Sequence, residues 1–116
     1  MRILIVDDDD SIRELVAMAL EDEGYEVMTA AQGVQALQIA AATPPDLILL
    51  DMRMPIMDGW AFARTYHQLP GPHAPIIVLS ATRNGLAVAE EVGAAGYLAK
   101  PFELVQLLTV VGAHRS

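Results

Sequence analysis

Three short apolar runs without polar alternation stand out along the chain, at residues 2–6, 47–50 and 75–79. Runs this short and this uniform read as strands buried on both faces, as in a parallel sheet. Between them the spacing of apolar positions lengthens. Ile12, Leu15, Val16, Ala19 and Leu20 recur at helical intervals, with Ser11 and Glu14 at capping-box spacing before them and Gly24 as the stop behind. Residues 25–30 lean toward β structure and suit a sheet edge. Residues 33–42 are alanine-rich, with Val34, Leu37 and Ala41 on one stripe, and Thr43-Pro44-Pro45 ends that helix. Residues 60–68 read as a helix that buries Phe62 and Ala63, and residues 86–92 as a shorter one. Residues 97–99 make a short last strand, and Leu104, Leu107, Leu108 and Val111 stripe the final helix.

Strand and helix therefore alternate five times. This alternation predicts an α/β fold, a parallel sheet with helices on both faces. Right-handed crossovers make it doubly wound, with five strands in the order 2-1-3-4-5. Such a sheet binds ligands at the carboxyl ends of its strands, where the order reverses between strands one and three.

Those ends carry chemistry. The first strand runs into Asp7-Asp8-Asp9-Asp10, the third ends on Asp51, the fourth on Ser80, and the fifth on Lys100. Asp9 and Asp10 have a local use, as acids near the positive end of a helix. Asp51 alone could be an ordinary loop acid. With Asp7 and Asp8 at the same edge it is not, because three carboxylates gathered together ionise only at a cost unless a cation joins them. Hard oxygen ligands suit Mg²⁺, with Mn²⁺ as a substitute. A lysine and a hydroxyl opposite them fit the charge of a phosphoryl group in transfer, and a carboxylate can itself accept that group.

Composition narrows the choice. The chain has 116 residues, enough for one compact domain over residues 1–116, and 53% of them are hydrophobic, enough for a core. With no cysteine, disulfides and thiolate metal sites are excluded. A formal charge of −8 argues against direct nucleic-acid binding. No stretch is apolar for long enough to span a membrane and no leader begins the chain, so the expected location is cytoplasmic. His67, His73 and His114 are apart in sequence and are not assigned as ligands. Met52, Met54 and Met57 read as loop packing, and Asp58-Gly59 as a turn that starts a helix.

The combination Ile5-Val6-Asp7-Asp8, Asp51-Met52-Arg53-Met54-Pro55 with Met57-Asp58-Gly59, Leu79-Ser80-Ala81 and Gly96-Tyr97-Leu98-Ala99-Lys100-Pro101-Phe102 resembles the receiver domain of two-component response regulators, over essentially the whole chain. The resemblance implies a flavodoxin-like receiver fold and a signalling domain rather than an enzyme with a separate substrate. Asp51 would be the phospho-acceptor. Asp8 would bind Mg²⁺ directly and Asp7 through water, and Asp51 and the backbone carbonyl of Arg53 would complete the ligands. Lys100 would pair with the phosphoryl oxygens, and its bond to Pro101 is expected to be cis. Ser80 and Tyr97 would form a switch that reshapes the face of the fourth helix, fifth strand and fifth helix, which includes Leu86, Ala95, Tyr97 and Val105. Arg53 and Thr82 would tune the phosphoryl lifetime.

The implied partners are a sensor histidine kinase or histidine phosphotransfer protein, and downstream an effector or a second copy through that face. The chain would be a stand-alone regulator or the receiver of a longer protein, and the lack of a linker after the last helix favours the former. A haloacid-dehalogenase-like phosphatase with Asp7 as nucleophile is the alternative, since Asp7-Asp8-Asp9 imitates its Asp-x-Asp. A degenerate receiver acting only as a binding module is a second one, opposed by the full acidic set and Lys100.

Overall fold

The structure is a computed structural model that describes residues 1–81 and 83–115. Strands and helices alternate as β1 (Arg2–Val6), α1 (Asp10–Asp22), β2 (Glu26–Ala30), α2 (Gly33–Ala42), β3 (Leu47–Asp51), α3 (Gly59–Gln68), β4 (Ile76–Ser80), α4 (Gly85–Val92), β5 (Gly96–Ala99) and α5 (Leu104–Gly112). The strands form one sheet in the order β2-β1-β3-β4-β5, every pairing parallel. This is the predicted order. Among the described residues no helix is long and apolar enough to cross a membrane.

Alternation along each strand divides the interior into two cores. Leu4, Val6, Ile48, Leu50, Ile76 and Val78 face α2, α3 and α4 and enclose Phe62, which is fully buried. Ile3, Ile5, Leu47, Leu49, Ile77, Leu79 and Leu98 face α1 and α5 and pack on Val16, Leu20, Leu107 and Val111. Every residue of β3 and of β4 is buried, which explains the uniform apolar runs.

Two of the helices, α1 and α3, start on an aspartate that caps them. Asp58 caps α3, its Oδ1 accepting from Ala61 N at 2.9 Å, as the Asp58-Gly59 turn predicts. At α1 the cap is Asp9, whose Oδ1 accepts from Ile12 N at 3.1 Å. The Ser11–Glu14 capping box is therefore not formed: Ser11 is already inside the first turn. At the far end Gly24 follows the C-cap at φ 89°, a left-handed turn that a glycine takes without strain.

The α2 stripe agrees with expectation only at Leu37, which packs against the core. Gly33, Ala36 and Ala40 are the buried residues, while Val34 is 42% exposed and Ala41 lies outside. Small residues at the interface let the helix approach the sheet, and a Cβ on Gly33 would come within 2.7 Å of Met57 Cγ. Met52 and Met54 are buried and Met57 packs against the same core, in agreement with the packing reading. In α5 Leu107 and Val111 are buried, whereas Leu104 is exposed.

The β3–α3 loop contains a tight reversal. Met57 N donates to Pro55 O at 2.8 Å, closing a γ-turn around Ile56, which holds φ 71° and is 92% exposed. Gly59 N then donates to Met52 O at 2.9 Å, returning the chain to the end of β3. His67 and His73, distant in sequence, come together with ring centroids 5.7 Å apart, and His73 Nε2 lies 2.6 Å from Leu69 O.

Candidate functional site

Because all five strands run the same way, their carboxyl ends open on one edge. There the structure holds an open crevice of about 350 Å³, bounded by Asp7, Asp8 and Asp9 of the β1–α1 loop, by Asp51, Met52 and Arg53 after β3, by Leu79, Ser80 and Ala81 after β4, by Lys100 after β5 and by Trp60 of α3. Asp7, Asp8, Asp51, Arg53, Ser80 and Lys100, named from the sequence, thus meet in one place. Tyr97 does not line it. It lies on β5 beside Val78, is 43% exposed, and rests its ring against Gly85 at the start of α4. Thr82 is outside the described residues.

One oxygen from each of Asp7, Asp8 and Asp51 can be chosen so that all lie within 4.8 Å of one another. Asp7 is fully buried and Asp51 nearly so, while Asp8 is exposed at the mouth. Every polar atom of Asp7 has a partner. Its N–H donates to Ala30 O at 3.1 Å, and its carbonyl accepts from Arg13 Nη1 at 2.8 Å. Its Oδ1 accepts from Asp9 N at 2.9 Å, and its Oδ2 from Lys100 Nζ at 2.8 Å. The same ammonium lies 3.3 Å from Asp51 Oδ1. Lys100 N donates to Ser80 O at 2.7 Å, tying the β4 and β5 ends together, and the Lys100–Pro101 bond is cis as expected.

The electrostatics follow. Burial, then the charge of Asp7, raises the Asp51 carboxyl from 3.8 to about 6, with a hydrogen bond from Asp8 adding to the rise and Lys100 opposing it. Burial works against the Lys100 ammonium, but its hydrogen bond to Asp7 and the charges of Asp7 and Asp51 outweigh burial and hold its pKa above 10.5. One ammonium against three carboxylates leaves the crevice negative. Three oxygen donors with an open side are what a hard divalent cation takes, together with water and a phosphoryl oxygen. The residues present therefore fit Mg²⁺.

Two residues at the site, Trp60 and Arg13, are not among those named from the sequence. Trp60 lines the crevice one residue into α3. Arg13 reaches the site only through the main chain of Asp7 and an ion pair with Asp10. The one hint of it was the i,i+3 spacing of Asp10 and Arg13 on a helix.

Comparison with known proteins agrees with this geometry. The family model described as response regulator receiver domain matches residues 3–112. Response regulator MprA of Mycobacterium avium is 42% identical over 113 residues, which is 93% of this chain and 48% of the relative. The chain thus spans about half the length of the curated relatives it matches. Among solved structures, the chemotaxis response regulator CheY4 of Vibrio cholerae superposes with a TM-score of 0.91 at 36% identity over 98% of each chain. The receiver domain of Francisella response regulator 1452 superposes with a TM-score of 0.87 at 28% identity over 97% of this chain and 94% of its own. The haloacid-dehalogenase-like alternative finds no support in these matches, and the nucleophile it needs, Asp7, is fully buried with both oxygens engaged. A parallel five-stranded sheet with three acids and a lysine at its carboxyl edge, matched over nearly its whole length by one family, makes this chain a member of the response regulator receiver domain family.

Proposed function

We propose that residues 1–116 form one receiver domain that accepts a phosphoryl group on Asp51, from a histidine kinase or a histidine phosphotransfer protein, and so switches a surface used by a partner. The observation that carries this reading is the meeting of Asp7, Asp8 and Asp51 within 4.8 Å, with Lys100 Nζ 3.3 Å from Asp51. Mg²⁺ held by Asp7, Asp8, Asp51 and the Arg53 carbonyl would supply positive charge to the phosphoryl oxygens.

The chain's own residues do the rest. An Asp51 oxygen attacks phosphorus as the nitrogen–phosphorus bond of the donor imidazole breaks, and the departing nitrogen keeps the electron pair and takes up a proton. Lys100 meets the charge on the transferred group, which positioning and electrostatics stabilise most. Ser80, at the end of β4, donates its hydroxyl once the group has arrived. Water attacking the same phosphorus breaks its bond to the Asp51 oxygen, releases inorganic phosphate and returns the carboxylate, so the domain itself catalyses both its charging from the donor and its discharging. Arg53, exposed at the rim, and Thr82 tune that lifetime.

Movement of Ser80 toward the phosphoryl group draws Tyr97 inward and changes the α4–β5–α5 face. That face already presents Leu86, Tyr97 and Val105 at 58%, 43% and 71% exposure, a surface for an effector or for a second copy. The domain acts in the cytoplasm and does not itself bind nucleic acid or membrane.

Acetyl phosphate labelling, with beryllium fluoride binding in parallel, tests the proposal. Mg²⁺-dependent incorporation that is lost in Asp51→Asn supports it. Incorporation retained in Asp51→Asn and lost in Asp7→Asn would overturn it.

A further inference from the structure

Arg13 stands outside the crevice, yet it touches the residue on which the crevice is built. Its side chain is only 17% exposed. Nη1 donates to the main-chain carbonyl of Asp7 at 2.8 Å, and Nη2 pairs with the Asp10 carboxylate. The planar guanidinium thus spans the run of four acids from Asp7, just after β1, to Asp10, the first residue of α1, a fork geometry that an ammonium does not reproduce.

Asp8 explains why this matters. It is the exposed member of the acidic trio and follows the Asp7 carbonyl directly. Its place is set by the main chain between two fixed points, the Asp7 carbonyl on Arg13 and the Asp9 N–H on Asp7 Oδ1 at 2.9 Å. Four successive acids repel one another and would otherwise spread apart.

From this geometry we infer that Arg13 is a positioning residue for the divalent cation: by gripping the Asp7 carbonyl it aims the Asp7 and Asp8 carboxylates into the crevice and sets the cation affinity. The inference rests on the cation-binding reading of the crevice given above. It has a sign that a purely electrostatic role does not share. Removing a positive charge beside a cation site makes the site more negative and tightens binding. Removing a support that orients ligands weakens binding, by about 10–100-fold for outer-shell partners of metal ligands.

The test is a Mg²⁺ titration of the 116-residue chain, read by the fluorescence of Trp60, the sole tryptophan, which lines the crevice, and by calorimetry. Arg13→Met is expected to weaken Mg²⁺ binding about tenfold, and to do so equally at low and high salt. Arg13→Lys keeps the charge but loses the fork, and also binds more weakly. Asp10→Asn leaves the grip on Asp7 intact and changes affinity little. Circular dichroism confirms that each variant is folded. Should Arg13→Met not fold, Arg13→Lys decides. Native affinity in Arg13→Lys, or equal or tighter binding in Arg13→Met, overturns the inference. Failure of the native chain to bind Mg²⁺ removes the cation reading itself and this inference with it.

Discussion

Lys100 Nζ lies 2.8 Å from Asp7 Oδ2, closer than the 3.3 Å that separates it from the proposed acceptor Asp51. In this state the lysine serves the fully buried Asp7 first. Breaking a buried pair leaves an uncompensated charge, which costs about 3–5 kcal/mol. Lys100→Met should therefore lower stability by about 3 kcal/mol in EDTA. Urea unfolding with and without Mg²⁺ checks this, and the cation should restore part of the loss. An unchanged midpoint in EDTA would show that Asp7 is not dependent on Lys100.

The pH dependence of the cation-free chain follows from Asp51. Its carboxyl titrates near 6 when folded and near 3.8 when unfolded. Between these values the folded chain carries more bound protons, so stability falls as pH rises. The contribution is fully present below about 3.8 and is lost through about 6. Asp51→Asn removes this titration. In EDTA the variant should gain on the native chain between pH 4 and pH 7.5, and urea midpoints compared at the two pH values decide the matter.

Ile56 is a β-branched residue at positive φ with nothing to pack against. Such strain costs about 1–3 kcal/mol, against about 0.5–1 kcal/mol for the freedom a glycine loses on folding. Ile56→Gly should therefore stabilise the domain by about 1 kcal/mol. A lowered melting temperature would mean that the turn is not strained.

Gly85 sits beneath the ring of Tyr97, and a Cβ placed there would lie 3.0 Å from Cε2 and closer still to Cδ2. Gly85→Ala should destabilise the native chain by about 1–2 kcal/mol through overpacking. In the Tyr97→Ala background the obstruction is gone and alanine's helix preference remains, so the same change should stabilise. A double-mutant cycle by chemical denaturation reads this reversal of sign. Additive effects would place the Tyr97 ring elsewhere.

Much of this architecture was legible because a buried parallel strand has a plain signature: an apolar run that stops on a polar residue. Asp7, Asp51, Ser80 and Lys100 were each read off such a stop, and topology alone brought them together. The α2 stripe was misread because hydrophobicity does not report size. Val34 is more apolar than Ala36, yet Ala36 is the residue fully buried against the sheet, and of the expected stripe Leu37 alone packs on the core. The α1 cap was misplaced by two residues because Asp9 and Ser11 are both competent acceptors, and only the point where β1 releases the chain chooses between them. Arg13 escaped notice for a different reason. It acts on a carbonyl, a group that every residue carries and that no side-chain pattern marks.

At the opposite rim of the sheet the chain is stitched rather than chemically equipped. Arg2 donates through its N–H to Asp46 Oδ2 at 2.7 Å, through Nε to Glu26 at 2.8 Å and through Nη1 to Pro44 O at 3.3 Å, while Asp46 N returns a bond to Arg2 O at 2.7 Å. Damage there should show up as a shorter-lived fold with its reactivity intact, whereas loss of the Asp51 carboxylate at the acidic rim should leave a durable fold that no longer responds. One-way strands thus give mutations an altitude: stability can be lost at either end of a strand, but reactivity only at the end where the strand stops.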